Sequence, residues 1–589
     1  MSDVDILSTA SADIPLMSPA NTEPSPHSSW RRRLAVGTLI VAIVVVYVAT
    51  RLPSIGFQPI NIDESIHAAA AVRCSAMGTL PYVGAVGNKG PLQYWAYQGL
   101  FRVAGDYNVP AAHAVGAVIV ACNAIFVALI ASRCFGPYAG PWAALLYLLA
   151  MGTSWDYLSF NSEMPASLPL VVAGWLILAA PNRISPIRCV IAGTLVMVAA
   201  GFRQNCLAVL PIMAVAAGVA DWAKDRRVLP AVARAFLVGL GGLVPVAVVV
   251  TVYARHAALA DLAFGYFGHN VNFYMGAIAY SPGRLLYALW DASVWINHAA
   301  VVMMLAIAGF VPIAFCVRIS DGRAGHEPAF AVPRVRGAML AILTLSLWAA
   351  ETAGLRFFNH YRMLDWPFTA VLAAGGWALL LGQLRHRPTR VAFRVGVIAA
   401  MVAMFLRGES LPYVAGRVDP IFARIDVQPH VSRVALRLRE NTTPDESLFV
   451  WGMEPQVYLI AQRRMATRFA HCSPQVGLIQ FENYYPLEQD RSAWVWPSSF
   501  EQMMADLRAD PPAYVVDASE EVLFGAGQYP IRAFDELAEW LDAGYVRDFE
   551  DVSGTLHRVI VYRRNDRPPT STTRPVSVTL PGRPRPSEF

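Results

Sequence analysis

Leu34-Ala35-Val36-Gly37-Thr38-Leu39-Ile40-Val41-Ala42-Ile43-Val44-Val45-Val46-Tyr47-Val48-Ala49-Thr50 is an unbroken apolar run. Trp30-Arg31-Arg32-Arg33 precedes it, and Arg51-Leu52-Pro53 and then Asn61-Ile62-Asp63-Glu64 follow. The run approaches the ~20 residues that a helix needs to cross a bilayer. It therefore reads as a membrane span with arginines behind it and an acidic pair in front. Residues 1–29 are Ser/Pro-rich, too long and too acidic for a signal-peptide n-region, and are expected to be a disordered cytoplasmic tail before a retained anchor.

The pattern repeats along the chain. Of 589 residues, 55% are hydrophobic and 15% charged, and the mean hydropathy is +0.41. A soluble domain needs more polar surface than that. Further spans are expected at roughly 109–132, 135–154, 163–181, 187–202, 205–221, 231–254, 291–317, 337–353, 364–384 and 391–407, about eleven in all. The fold class is thus an all-α polytopic membrane domain over 30–407. With the N-terminus inside, the inner loops collect Arg133, Arg183, Arg188, Arg226, Arg227, Arg318, Arg323, Arg334, Arg336, Arg385, Arg387, Arg390 and Arg394, as the positive-inside rule requires. An odd span count places the loop carrying Asp63 and the region after residue 407 together on the outer face.

Residues 408–565 have the composition of a soluble α/β domain. Helices are expected at Val431–Glu440 and Phe534–Leu541, strands at Leu448–Trp451 and Ala513–Val516, and a hairpin from Tyr545–Phe549 and Arg558–Tyr562. The Pro/Thr/Arg stretch 566–589 is expected to be a disordered tail.

The net charge of +5 is accounted for by topology and points to no nucleic-acid partner. No P-loop, GxGxxG or HExxH motif occurs, and the seven cysteines lack metal spacing. Cys74 and Cys472 both fall on the outer face, where a disulfide could join them. Among 47 basic residues only Lys89 and Lys224 are lysines. Lys89 sits in Asn88-Lys89-Gly90-Pro91-Leu92-Gln93-Tyr94-Trp95, and a compact ammonium suits a phosphate. The other ionisable residues gather at the outer ends of spans: Asp156, Glu163 in Ser162-Glu163-Met164-Pro165, Arg203, His269, Glu351 and Arg356, then His360-Tyr361 in Asn359–Pro367. A transporter places such groups at the bilayer midplane on repeated halves. A ring of them at one interface suits chemistry on a lipid headgroup.

Taken together, Asp63-Glu64, the Lys89 motif, Ser162–Pro165 and Arg356–Pro367 resemble the polyprenyl-phosphate-sugar-dependent glycosyltransferases of the GT-C superfamily, specifically the protein O-mannosyltransferase and lipid A aminoarabinose transferase-like group (families 39 and 83). The resemblance covers roughly 30–410. It implies Asp63 as general base with Glu64 beside it in the catalytic pair. It implies Lys89, Arg356 and Arg203 on the donor phosphate, and Asp156, Glu163, His360 and Tyr361 near the acceptor or sugar. The implied partners are the bilayer, a polyprenyl-phosphate-linked sugar, and a glycan, lipid or protein acceptor, with the site facing the periplasm of a bacterial inner membrane. Gly90 departs from the family's first proline. Asn88 departs from an acidic metal ligand of some members, so no cofactor carries over directly. A divalent cation on Asp63, Glu64 or Asp156 stays a candidate, since carboxylates suit hard cations. Competing readings are a lipid-linked saccharide flippase or assembly scaffold, and an O-antigen ligase or polymerase.

Overall fold

A computed structural model describes residues 26–56, 61–180, 184–225, 227–275, 286, 289–290, 299–314, 334–352, 358–384, 386–408, 429–478, 492–520, 529–553 and 557–570. The membrane region is helical: α1 Pro26–Arg51, α2 Ile62–Met77, α3 Pro91–Ala104, α4 Val109–Phe135, α5 Ala139–Ala150, α6 Glu163–Leu178, α7 Pro186–Phe202, α8 Val209–Asp225 and α9 Val228–Arg255. Helices Ala300–Ala314, Arg334–Thr352, Trp366–Gln383 and Arg387–Arg407 follow.

Four helices are long and apolar enough on their own to cross a membrane: Leu34–Gly56, Val109–Phe135, Val228–Arg255 and Arg387–Arg407. Shorter apolar helices fall on other expected spans. Length alone therefore supports four of the eleven spans. The difference has a local cause in α5, where Gly136-Pro137 and Gly152 cut the expected 135–154 to twelve residues. The short helices are central. Ala143 through Ala150 and Trp366 through Trp377 are all buried. By contrast, only 17% of the apolar window of Leu34–Gly56 and 11% of that of Arg387–Arg407 is buried inside the protein. Exposed Val41, Phe236 and Val395 on the long helices make a surface that only an apolar solvent covers without cost. The protein is a multi-pass membrane protein.

Two helices were not legible as such. The long first outer loop folds into α2 and α3. Asn61 caps α2 by accepting the Glu64 N–H, and Pro91 starts α3 at its first turn, where its missing N–H costs nothing. Helix α1 starts at Pro26. Thr570 packs on the C-terminal domain, its hydroxyl against Tyr514. The rest of both tails lies outside the described residues.

The C-terminal domain holds a five-stranded sheet of order β2-β1-β3-β5-β4. The strands are β1 Ser447–Gly452, β2 Arg464–Met465, β3 Tyr514–Ala518, β4 Tyr545–Ser553 and β5 His557–Arg564. Strands β1, β2 and β3 are parallel, and β5 runs antiparallel between β3 and β4. Helices Pro429–Glu440, Gln456–Ala461, Ser499–Ala509 and Asp535–Gly544 accompany it. Strands β1 and β3 are buried throughout, as the apolar runs Leu448–Trp451 and Tyr514–Val516 within them require.

This domain is fastened to α2. The buried Arg73 guanidinium donates to the carbonyls of Met465 (2.6 Å) and Ala466 (2.8 Å) and lies 3.6 Å from Asp506. Its Nε donates to Gly84 O. The Val86 N–H donates to Arg468 O. Cys74 and Cys472 are both buried and free, so the disulfide does not form.

Candidate active site

Residues Asp63 and Glu64 occupy the first turn of α2. Successive helical side chains diverge by about 100°, so the two carboxylates face different surroundings. Glu64 turns inward and is fully buried. It accepts the Phe160 N–H at 2.8 Å and lies 3.0 Å from His113 Nε2. The two carboxylates of the acidic pair are therefore not side by side, and these contacts tie Glu64 to the neighbours of α2.

Asp63 turns to a chamber between α2, the Lys89 loop and the segment before Trp366. Its Oδ2 lies 3.3 Å from Lys89 Nζ and 3.8 Å from His360 Nε2. Burial pulls the Asp63 pKa up, but the charges of Lys89, His360, His67 and Arg203 outweigh it, leaving the carboxyl well below its usual range.

Lys89 is held from both sides. Tyr82 Oη donates to the Lys89 carbonyl. Gln204 and Asn270 side chains both donate to the Asn88 carbonyl at 3.0 Å. Gly90 donates its N–H to Phe202 O at 3.0 Å, and a Cβ on Gly90 would sit 2.0 Å from the Gly201 carbonyl oxygen. The departure from the family's proline is thereby explained: a proline has neither the N–H nor the room.

Asp156 links the residue that caps α2 to His360. Asn61 Nδ2, on the residue that caps α2, donates to Asp156 Oδ1. Asp156 Oδ2 accepts the His360 backbone N–H and lies 2.6 Å from His360 Nδ1. Burial lowers the His360 pKa, but Asp156, Glu163 and Asp63 more than compensate and raise it overall. The imidazole is thus oriented and its pKa raised, with Nε2 directed at Asp63. Beside it, Arg203 Nε lies 3.1 Å from Glu163 Oε1 and its guanidinium covers the Tyr361 ring at 4.4 Å.

The structure thus brings together Asp63, Lys89, Asp156 and His360, with Glu163, Arg203 and Tyr361 adjoining. Arg356 lies outside the described residues. His269 packs its ring against Trp496. The carboxylates do not converge on a cation. Asp63 and Asp156 face cationic side chains, Glu64 points away, and no group of three or more His, Cys, Asp or Glu suited to a metal occurs among the described residues.

Three residues were missed. Asn61 carries the ordinary sequence signature of an N-cap, Asn three positions before Glu64. His67 follows Asp63 by one helical turn, and burial drives its pKa to about 3. His471 comes from the C-terminal domain. Burial lowers its pKa to about 4, against the opposing pull of Asp63. Nothing local in the sequence links it to a loop some four hundred residues earlier.

No protein-family model and no curated protein matches the sequence. Solved structures do. ArnT from Cupriavidus metallidurans bound to undecaprenyl phosphate is similar at 14% identity and a TM-score of 0.53, over 90% of this chain and 99% of that one. The apo state of the same protein gives a TM-score of 0.55 at 12% identity, over 90% and 98%. The archaeal oligosaccharyltransferase AglB from Archaeoglobus fulgidus, in complex with an inhibitory peptide and a dolichol-phosphate, gives 0.51 at 13% identity, over 93% and 76%. This chain has the fold of these proteins, the GT-C fold.

Proposed function

We propose that this chain is an integral membrane glycosyltransferase. It moves a sugar from a polyprenyl-phosphate donor to an envelope glycan, lipid or protein acceptor, with inversion. It would sit in a bacterial inner membrane with about eleven spans, the chamber and the C-terminal domain facing the periplasm. The observation that carries the reading is the carboxylate of Asp63 set 3.3 Å from Lys89 and 3.8 Å from His360, on the outer loop of a GT-C fold. Two of the similar structures are complexes with undecaprenyl phosphate and with a dolichol-phosphate.

The chemistry follows from that geometry. The acceptor hydroxyl attacks the anomeric carbon, its proton passes to Asp63, and the C–O electron pair leaves with the phosphate. One in-line displacement inverts the centre. The leaving phosphate gains negative charge as the bond breaks, and cations aimed at it lower the barrier. Lys89 and His360 are those cations. Before the donor binds, both are turned to Asp63 and make it a poor base. A donor phosphate competes for them, which returns proton affinity to Asp63 when a proton must be taken. Asp156 and Asn61 orient His360, while Glu163 and Tyr361 hold Arg203 at the edge of the chamber.

The test is direct binding of undecaprenyl phosphate to the purified protein in nanodiscs. Wild type should bind it, and Lys89→Ala should bind it at least about tenfold more weakly, in line with loss of a charged contact of 1.5–3 kcal/mol. Equal binding by both proteins would remove Lys89 from the donor site.

A further inference from the structure

Arg51 is the last residue of α1. On the topology proposed above it stands at the outer end of the span, where the positive-inside rule asks for no arginine. It is only 2% exposed, and a buried guanidinium is costly unless its donors are used. Nη1 donates to the Tyr157 carbonyl at 2.6 Å and Nη2 to the Met151 carbonyl at 2.7 Å. These two carbonyls bracket the turn between α5 and α6. Met151 directly follows α5, and Tyr157 directly follows Asp156. One planar fork thus holds both ends of the turn, a geometry that the point charge of a lysine does not reproduce.

The turn in turn grips the segment before Trp366. Asn359 Nδ2 donates to Ser154 Oγ at 3.1 Å. Asp156 Oδ2 accepts the His360 N–H and lies 2.6 Å from His360 Nδ1. His360 then directs Nε2 at Asp63 from 3.8 Å. Arg51 is itself anchored toward α2. Ser54 Oγ donates to the Arg51 carbonyl at 2.8 Å, and the Ser54 carbonyl accepts from His113 Nδ1 at 3.1 Å. His113 Nε2 meets Glu64 Oε1 at 3.0 Å, one residue from Asp63. The end of α1 is therefore bonded to the first turn of α2 on one side and to the Asp156 turn on the other. Those are the two walls that carry Asp63 and His360.

We propose that Arg51 is a positioning residue for the donor site: its fork fixes the 151–157 turn, and through Asp156 it keeps His360 turned to the donor phosphate. The inference rests on the glycosyl-transfer reading above and extends it to a residue outside the chamber. Arg51 touches neither donor nor acceptor, and no covalent bond forms or breaks at it.

The experiment measures undecaprenyl phosphate affinity against pH for the full chain in nanodiscs. Wild type is compared with Arg51→Lys, Arg51→Gln, Asp156→Asn and the double variant Arg51→Lys with Asp156→Asn. His360 is faced by Asp156, Glu163 and Asp63, with Lys89 beside Asp63, so a loosened Asp156 lowers its proton affinity. Both Arg51 variants should bind about fivefold more weakly than wild type at neutral pH, the usual size of coupling within one hydrogen-bond network. The pH at which binding falls off should move down in them, as in Asp156→Asn. The double variant should lie within about twofold of Asp156→Asn, because a turn that no longer grips His360 has nothing left to position. Wild-type affinity in both Arg51 variants would overturn the inference. So would weakened binding with the wild-type pH profile, the mark of a merely structural role, or losses that multiply in the double variant. Asp156→Asn leaves the fork in place and tests the last link by itself. Wild-type affinity and pH profile there would also overturn the inference. If wild type itself bound no undecaprenyl phosphate, the glycosyl-transfer reading would fail first, and this inference with it.

Discussion

Asp63 and Glu64 differ by one position and by every neighbour. Asp63→Asn keeps the shape and removes the proton acceptor. Transfer should fall by a factor on the order of 10²–10⁴, with undecaprenyl phosphate binding retained and folded protein in the membrane. Near-normal turnover would take Asp63 out of the mechanism. Glu64→Gln should behave differently. It weakens the acceptor shared by the Phe160 N–H and His113 Nε2 in a fully buried site, where a poorly satisfied polar group costs about 1–3 kcal/mol. The midpoint of thermal unfolding should drop, while the donor KM of the protein that remains folded stays near wild type. A variant with normal stability and transfer as impaired as in Asp63→Asn would return Glu64 to the catalytic pair. For Lys89, kcat should fall along with donor affinity in Lys89→Ala, because phosphate charge grows as the bond breaks. Lys89→Arg should rescue only in part, since a planar fork fits a point-charge site poorly. Steady-state kinetics showing both parameters unchanged in Lys89→Ala would refute this.

At the level of elements, the apolar runs made most helices legible, because a span must be apolar over its whole length. The strands β1, β3, β4 and β5 were legible for a related reason, as short apolar or alternating runs. The helices α2 and α3 were not. Half of α2 is alanine and small residues, packed against other protein on all sides, so neither a span-like run nor an amphipathic stripe marks it. The residues of the site were legible as types but not as a constellation. Nothing in Asp63-Glu64 says which carboxylate faces the chamber; the turn of α2 set by Asn61 decides it. Helix α2 also sets a pH response. His67, with a pKa driven by burial from the ordinary 6.5 to about 3, and His471, at about 4, bind protons more readily when unfolded than when folded. The unfolded state therefore takes up protons first as pH falls below about 6.5. Stability present above that pH is lost on the way to the folded values, at about 1.4 kcal/mol per pH unit for each histidine. Unfolding temperatures in nanodiscs should decline from pH 7 to pH 5, and less steeply in His67→Gln. Parallel slopes in the two proteins would contradict the assignment.

For the whole molecule, the account requires the C-terminal domain and the Asp63 loop to share one face of the membrane. Arg73 already joins them physically. Asp542, whose side chain is 59% exposed, is a suitable reporter. A cysteine placed there by Asp542→Cys should react with an impermeant thiol reagent in intact spheroplasts, whereas labelling only after permeabilisation would invert the topology. The central claim, transfer of a sugar from a polyprenyl monophosphate, is tested most directly by the lipids of cells lacking this protein. Mass spectrometry of the extracted lipids should show a polyprenyl monophosphate carrying a single sugar, accumulated in the deletion strain and cleared on complementation by wild type but not by Asp63→Asn. Accumulation of a diphosphate-linked oligosaccharide instead, or equal clearance by Asp63→Asn, would contradict the account.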